Sequence, residues 1–119
     1  PYIIKYNASK PTKFATFPKY EKFIADKKYA KIAQTIGKGG NTVEESVKNL
    51  ISAVRTLQKE LNMPTCIKEC GIDETTFFNN LKHLSEKAHE DQCTPANPRY
   101  PLINEIEEIY TKAYYGDNE

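Results

Sequence analysis

One stretch restricts this chain more than any other. Val43, Val47, Leu50, Ile51, Val54, Leu57 and Leu61 recur at spacings of 4, 3, 1, 3, 3 and 4. Aliphatic residues at that rhythm fall on a single stripe of an α-helix of about five turns, whereas a strand, with its period of two, would scatter them over both faces. The start of the helix is marked as well. Thr42-Val43-Glu44-Glu45 fits a capping box, in which the threonine hydroxyl accepts from a backbone N–H near Glu45 and the glutamate reaches back. Asn62 and Pro64 end it.

Helical signals run through the rest of the chain. Tyr2, Ile3, Ile4 and Tyr6 read as the last turns of a helix ending at Asn7, and Ser9 to Pro18 as a basic linker broken by Pro11 and Pro18. Asp26 is expected to cap a helix with Tyr29, Ile32, Ala33 and Ile36 on its inner face, closed by Gly37. Thr65 to Cys70 reads as one short helix closed by Gly71. Asp73 is expected to cap the next, with Phe77, Leu81, Leu84 and Ala88 inward. The last runs from about Leu102 to Tyr115, with Ile103, Ile106, Tyr110 and Ala113 inward and Gly116 at its end. No segment shows convincing strand alternation. The expected fold is all-α, a compact bundle of about four to six helices forming one unit over residues 1–119.

Composition narrows the function. A hydrophobic share of 39% and a charged share of 28% read as soluble and globular. No apolar run approaches the ~18 residues of a membrane helix, so no membrane role is expected, and Lys5 interrupts the apolar start, so no leader is expected either. The chain begins at proline, which suggests a cut from something longer. Three cysteines at irregular spacing point to a reducing cytoplasm rather than a disulfide framework. The net charge of +1 hides an asymmetry: residues 1–40 hold nine lysines and two acids, and residues 41–119 hold eight Lys/Arg and fourteen acids. Such a split marks a nucleic-acid face, two solvated faces, or halves that dock electrostatically.

Several motifs invite chemistry. Gly37-Lys38-Gly39-Gly40 lacks the Gly-Lys-Ser/Thr ending of a phosphate loop and reads as a helix-breaking turn. Cys66 and Cys70, with His89 and Cys93, make two pairs four residues apart, which is loose for zinc, and single helical cysteines are commonly small buried hydrophobes. His83 and His89 have no nucleophile paired with them and read as surface or boundary residues. Lys10, Lys13, Lys19, Lys22, Lys27, Lys28 and Lys31 interleave with Phe14, Phe17, Tyr20, Phe23 and Tyr29, a pattern for phosphates and stacked bases, or for an amphipathic segment pinned to a core.

Residues 91–102 are a loop with three prolines and one asparagine, Asp91-Gln92-Cys93-Thr94-Pro95-Ala96-Asn97-Pro98-Arg99-Tyr100-Pro101-Leu102. With Tyr6-Asn7-Ala8, Lys10-Pro11-Thr12-Lys13, Tyr29-Ala30-Lys31-Ile32-Ala33, Leu61-Asn62-Met63-Pro64, Ile67-Lys68-Glu69 and Ala113-Tyr114-Tyr115-Gly116, this run resembles the C-terminal helical part of the iron-dependent alcohol dehydrogenases along essentially the whole chain. The likeness is greatest to the bifunctional aldehyde–alcohol dehydrogenases. It implies a parent in which an upstream domain binds NAD and upstream residues hold iron, and in which acetaldehyde is reduced to ethanol by hydride transfer. It maps no catalytic, cofactor-binding or metal-ligating residue onto this chain. It implies that Cys93 and Thr94 line the substrate cleft, that the chain alone is inactive, and that the parent assembles into homo-oligomers or filaments. Pro95 stands where glycine is usual in that family, and His89 where a large apolar residue is usual. The alternative expectation is a self-standing helical module that binds protein or nucleic acid through its basic first third.

Overall fold

The computed structural model describes residues 1–11 and 22–116, which build five α-helices and two 3-10 turns and contain no extended strand. Part of the basic linker and of the Lys–aromatic run (Lys13, Phe14, Phe17, Lys19 and Tyr20) lies outside the described residues.

The first helix, α1 (Tyr2–Ala8), runs one residue beyond its expected end. In α2 (Ala25–Thr35) the cap position is Ile24 rather than Asp26. Asp26 sits inside the first turn and accepts the Lys27 N–H at 2.7 Å, a favourable place for negative charge at a helix start. The inner face of α2 is also rotated from the expected one. Ala25, Ala30 and Ala33 are buried, while Ile32 and Ile36 stay 48% and 51% exposed. The face that α2 buries is thus lined by alanines, and the two bulkier isoleucines stand toward solvent.

That next helix, α3 (Val43–Glu60), starts as expected, with the Glu45 N–H donating to Thr42 Oγ1 at 3.0 Å. The reciprocal bond reaches one residue further back, the Glu45 carboxylate accepting the Asn41 N–H at 2.6 Å. Such a cap contributes about 1 kcal/mol. Only the middle of the stripe is fully covered: Val47 and Leu50 are buried, while Leu57 and Leu61 are 53% and 59% exposed. Asn62 takes a left-handed φ of 53°, which asparagine tolerates better than most residues, and there the helix stops.

The segment from Thr65 folds as a 3-10 turn only at Lys68–Cys70, because Glu69 bends back to accept the Thr65 N–H at 2.6 Å. Gly71, at φ 81°, reverses the chain. Asp73 caps α4 (Glu74–Glu90) by accepting the Thr76 N–H at 2.9 Å, and the Thr76 hydroxyl together with that N–H holds its carboxyl below the usual range. Phe77 and Ser85 are buried on the inner face of α4, and Leu84, the expected inner residue, is exposed. After a second 3-10 turn at Thr94–Ala96 comes α5 (Ile103–Tyr115), which buries Ile106 and Tyr114.

α2 packs on α3, α4 packs on α5, and the short α1 touches α2, α3 and α5, forming the seam between the two pairs. The result is a slab of 42 × 37 × 20 Å. Its radius of gyration, 15.3 Å, exceeds the roughly 13 Å expected of a compact domain of this length. No helix among the described residues is long and apolar enough to cross a membrane.

Candidate functional site

Loop 91–102 is built in two halves. The first is tied to the end of α4. Asp91 Oδ1 accepts the Cys93 N–H at 2.7 Å, and the Thr94 hydroxyl donates to the Ala88 carbonyl at 2.6 Å, occupying one of the acceptors a helix end leaves open. Pro95 sits inside the 3-10 turn, whose φ suits its ring, so it stiffens the loop tip rather than straining it.

The second half is pinned to α1 across 90 or more residues of sequence. Asn7 and Asn97 exchange amide hydrogen bonds in both directions, at 3.0 and 2.8 Å. Asn7 also donates to the Tyr29 hydroxyl at 3.3 Å, and Asn97 to the carbonyl of Arg99. The Arg99 guanidinium lies 3.7 Å from the centre of the Tyr6 ring. It donates to the Tyr6 carbonyl at 2.9 Å and to Glu105 Oε1 at 2.7 Å. The other Glu105 oxygen accepts the Tyr6 hydroxyl at 2.7 Å and the Leu102 N–H at 2.9 Å, which caps α5. One guanidinium and one carboxylate therefore join the end of α1, the end of the loop and the start of α5. Burial and the bond to Glu105 push the Tyr6 phenol well above its ordinary range, so it stays a neutral donor.

Between α1, α5 and this loop runs a groove of about 360 Å³. Its walls are mainly apolar, from Ile3, Ile106, Ile109 and Tyr110, and the Asn7–Asn97 pair also lines it. Cys93 and Thr94, picked out from the sequence, line this same groove, Cys93 exposed and Thr94 partly covered.

The other candidate motifs are placed differently. Gly37 to Gly40 form the turn between α2 and α3, with Gly37 left-handed at φ 72°. A Cβ on Gly40 would lie 2.5 Å from Glu45 Cγ, so that glycine makes room for the capping glutamate. Its N–H is taken by Ser46 Oγ at 2.9 Å, which leaves the turn no phosphate cradle at that position. Cys66, Cys70, His89 and Cys93 do not assemble: no group of three His, Cys, Asp or Glu able to hold a metal occurs among the described residues. His83 is exposed, and His89 sets its ring edge-on to Tyr100 at 5.6 Å. Of the Lys–aromatic run, Tyr29 is tied to Asn7, and Lys10, Lys27, Lys28 and Lys31 are exposed. A separate groove between α1, α2 and α3 carries Lys5, Lys10, Lys48, Arg55 and Lys59, offset by Asp26 and Glu44.

Sequence reasoning missed Tyr6, Asn7 and Glu105 as partners of the loop. One signal was available: a central Arg99 in a proline-bounded loop next to an apolar run calls for a carboxylate, and Glu105 lies within the first turn of the following helix.

Comparison with known proteins bears on what this groove belongs to. The family model described as "Fe-containing alcohol dehydrogenase family, C-terminal" matches residues 1–114. The chain is 41% identical over 119 residues to an aldehyde-alcohol dehydrogenase of Streptococcus pneumoniae, covering 100% of this chain and 14% of that protein. It is 46% identical over 113 residues to an aldehyde-alcohol dehydrogenase of Clostridium acetobutylicum, covering 94% of this chain and 13% of the relative. Against the bifunctional aldehyde-alcohol dehydrogenase of Escherichia coli the identity is 42% over 117 residues, again 13% of the relative. An NADPH-dependent butanol dehydrogenase of Clostridium saccharobutylicum is 39% identical over 116 residues, of which this chain spans 26%. The chain thus spans about a seventh of the length of the aldehyde-alcohol dehydrogenases it matches. By its sequence, the chain belongs to the Fe-containing alcohol dehydrogenase family and corresponds to that family's C-terminal part.

Proposed function

We propose that this chain is the C-terminal helical lobe of a cytoplasmic, NAD-linked, iron-dependent aldehyde–alcohol dehydrogenase that reduces acetaldehyde to ethanol, and that the groove between α1, α5 and loop 91–102 forms one wall of its substrate cleft. The observation that carries the reading is that Cys93 and Thr94 come together on an apolar groove in a chain matched along its length by aldehyde-alcohol dehydrogenases. Apolar walls suit the alkyl end of a small aldehyde and keep water from the reacting carbonyl. The described residues contain no group of His, Cys, Asp or Glu able to hold a metal; in this reading iron and the nicotinamide are held by other parts of the parent enzyme. The role of this lobe is to shape and close the cleft. Half-exposed apolar residues on several helices and the turn after α3, among them Ile3, Leu57, Phe78 and Met63, support a second role in packing against the rest of the enzyme or its copies.

Aldehyde reduction by hydride transfer needs no covalent thiol step, so Cys93 lines the cleft without acting as a nucleophile. In the full-length enzyme, Cys93→Ser is expected to keep most of its turnover, with KM for acetaldehyde moved more than kcat. Abolished turnover in a folded, iron-loaded variant would assign the thiol a chemical role and remove this reading. The 119-residue chain by itself is expected to show helical circular dichroism and no oxidation of NADH with acetaldehyde and ferrous iron. Measurable turnover there would place the active site within this chain.

The match along the whole chain favours this assignment over a self-standing module that binds nucleic acid or protein through its basic first third. Salt-sensitive binding of the chain to a polyanion is the result that would favour the module.

A further inference from the structure

Loop 91–102 carries its groove-facing residues in its first half and its anchors in its second. The first half is bonded to the end of α4, at Asp91 and Ala88. What ties the loop to the opposite wall is the reciprocal amide pair between Asn7, on the last turn of α1, and Asn97. Both residues line the groove. Both amides are also bonded outward, Asn7 to the Tyr29 hydroxyl and Asn97 to the Arg99 carbonyl, so neither can turn without breaking a second contact. Behind them the Arg99–Glu105–Tyr6 cluster fixes the loop end to both α1 and α5. Each asparagine donates to and accepts from the other, and a neighbouring residue type cannot replace this. Aspartate lacks the donor, and glutamine adds a methylene that would push the walls apart.

We propose that Asn97, through its amide pair with Asn7, is a positioning residue that sets the width of this groove and thereby holds Cys93 and Thr94 at their working distance from the aldehyde. This rests on the reading of the groove as a cleft wall, and the test separates the two claims.

The experiment uses the full-length enzyme with Asn7→Ala, Asn97→Ala and the double variant. KM and kcat for acetaldehyde are measured with NADH, and alkylation of Cys93 by iodoacetamide is followed by mass spectrometry of its peptide. Asn97→Ala is expected to raise KM by about tenfold while kcat moves far less, since small displacements of positioning groups carry large kinetic effects. Cys93 alkylation is expected to quicken several-fold. The double variant is expected to be no worse than the more impaired single one, because the two residues act as one contact. If Asn97→Ala does not fold, Asn97→Asp, which keeps one of the two bonds, is expected to show the same shifts at smaller size. Faster alkylation with an unchanged KM would uphold the positioning and overturn the cleft reading. Unchanged alkylation together with additive single effects would overturn the positioning itself, whatever happens to stability.

Discussion

Arg99→Met is expected to lower the stability of this chain by about 3–5 kcal/mol, the range for removing one partner of a buried ion pair. The two side chains are only 10% and 12% exposed and meet at 2.7 Å. Methionine fills much of the stem volume but leaves the Glu105 carboxylate with too few donors in a place poor in water. The Tyr6 carbonyl also loses its 2.9 Å donor, and the Tyr6 ring its cation. The urea midpoint should fall with the slope unchanged, because the folded topology is kept. A second change isolates the charge effect: Glu105→Gln in the Arg99→Met background should restore part of the loss, since the amide oxygen still accepts from Tyr6 without carrying charge. A stability change of less than about 1 kcal/mol in Arg99→Met would mean that the pair is solvated in solution.

Phe77→Ala is expected to cost a similar amount, about 3–5 kcal/mol, by a different route. Phe77 is buried at the junction of α4 and α5, where its ring stacks on Tyr114 with centroids 4.2 Å apart. Tyr114 is fully buried, and its hydroxyl donates to the Ile72 carbonyl at 2.9 Å. Truncation at Phe77 would open a cavity against a ring that is locked at its far end and cannot swing in to fill it. The control is one residue away: Phe78 is 40% exposed, and Phe78→Ala should cost far less. Near-ultraviolet circular dichroism should lose intensity in the first variant and little in the second. Equal costs at both positions would show that the α4–α5 core is not organised around Tyr114.

How much of this was legible in the sequence differs from element to element. The α3 start was readable because Thr42 and Glu45 act within one turn, and their bond is present at 3.0 Å. Helix ends at Gly37, Gly71 and Gly116 were readable because a positive φ is a local demand. The inner faces were harder. The periodicity reading favoured Ile32, Ile36 and Leu84, yet α2 buries its alanines and α4 buries Ser85, whose hydroxyl has no hydrogen-bond partner among the described residues. Close helix approach selects small side chains, and hydrophobicity does not report closeness. Of the site, Cys93 and Thr94 were reached through resemblance alone. Their groove depends on partners 90 and 99 residues distant, Asn7 to Asn97 and Tyr6 to Glu105, and no local spacing encodes those pairings.

Those distances have a consequence for how the chain is made. The α2–α3 and α4–α5 pairs join near neighbours and can form as soon as each hairpin is complete. The short helix at the seam cannot. At roughly 5–20 residues per second, Tyr6 leaves the ribosome on the order of 5–20 s before its carboxylate acceptor exists. The α5-facing side of this helix is therefore among the last surfaces of the chain to settle, and through that interval Tyr6 waits without its acceptor. Crowding, chaperones and the speed of translation act on that side before its mature contacts can.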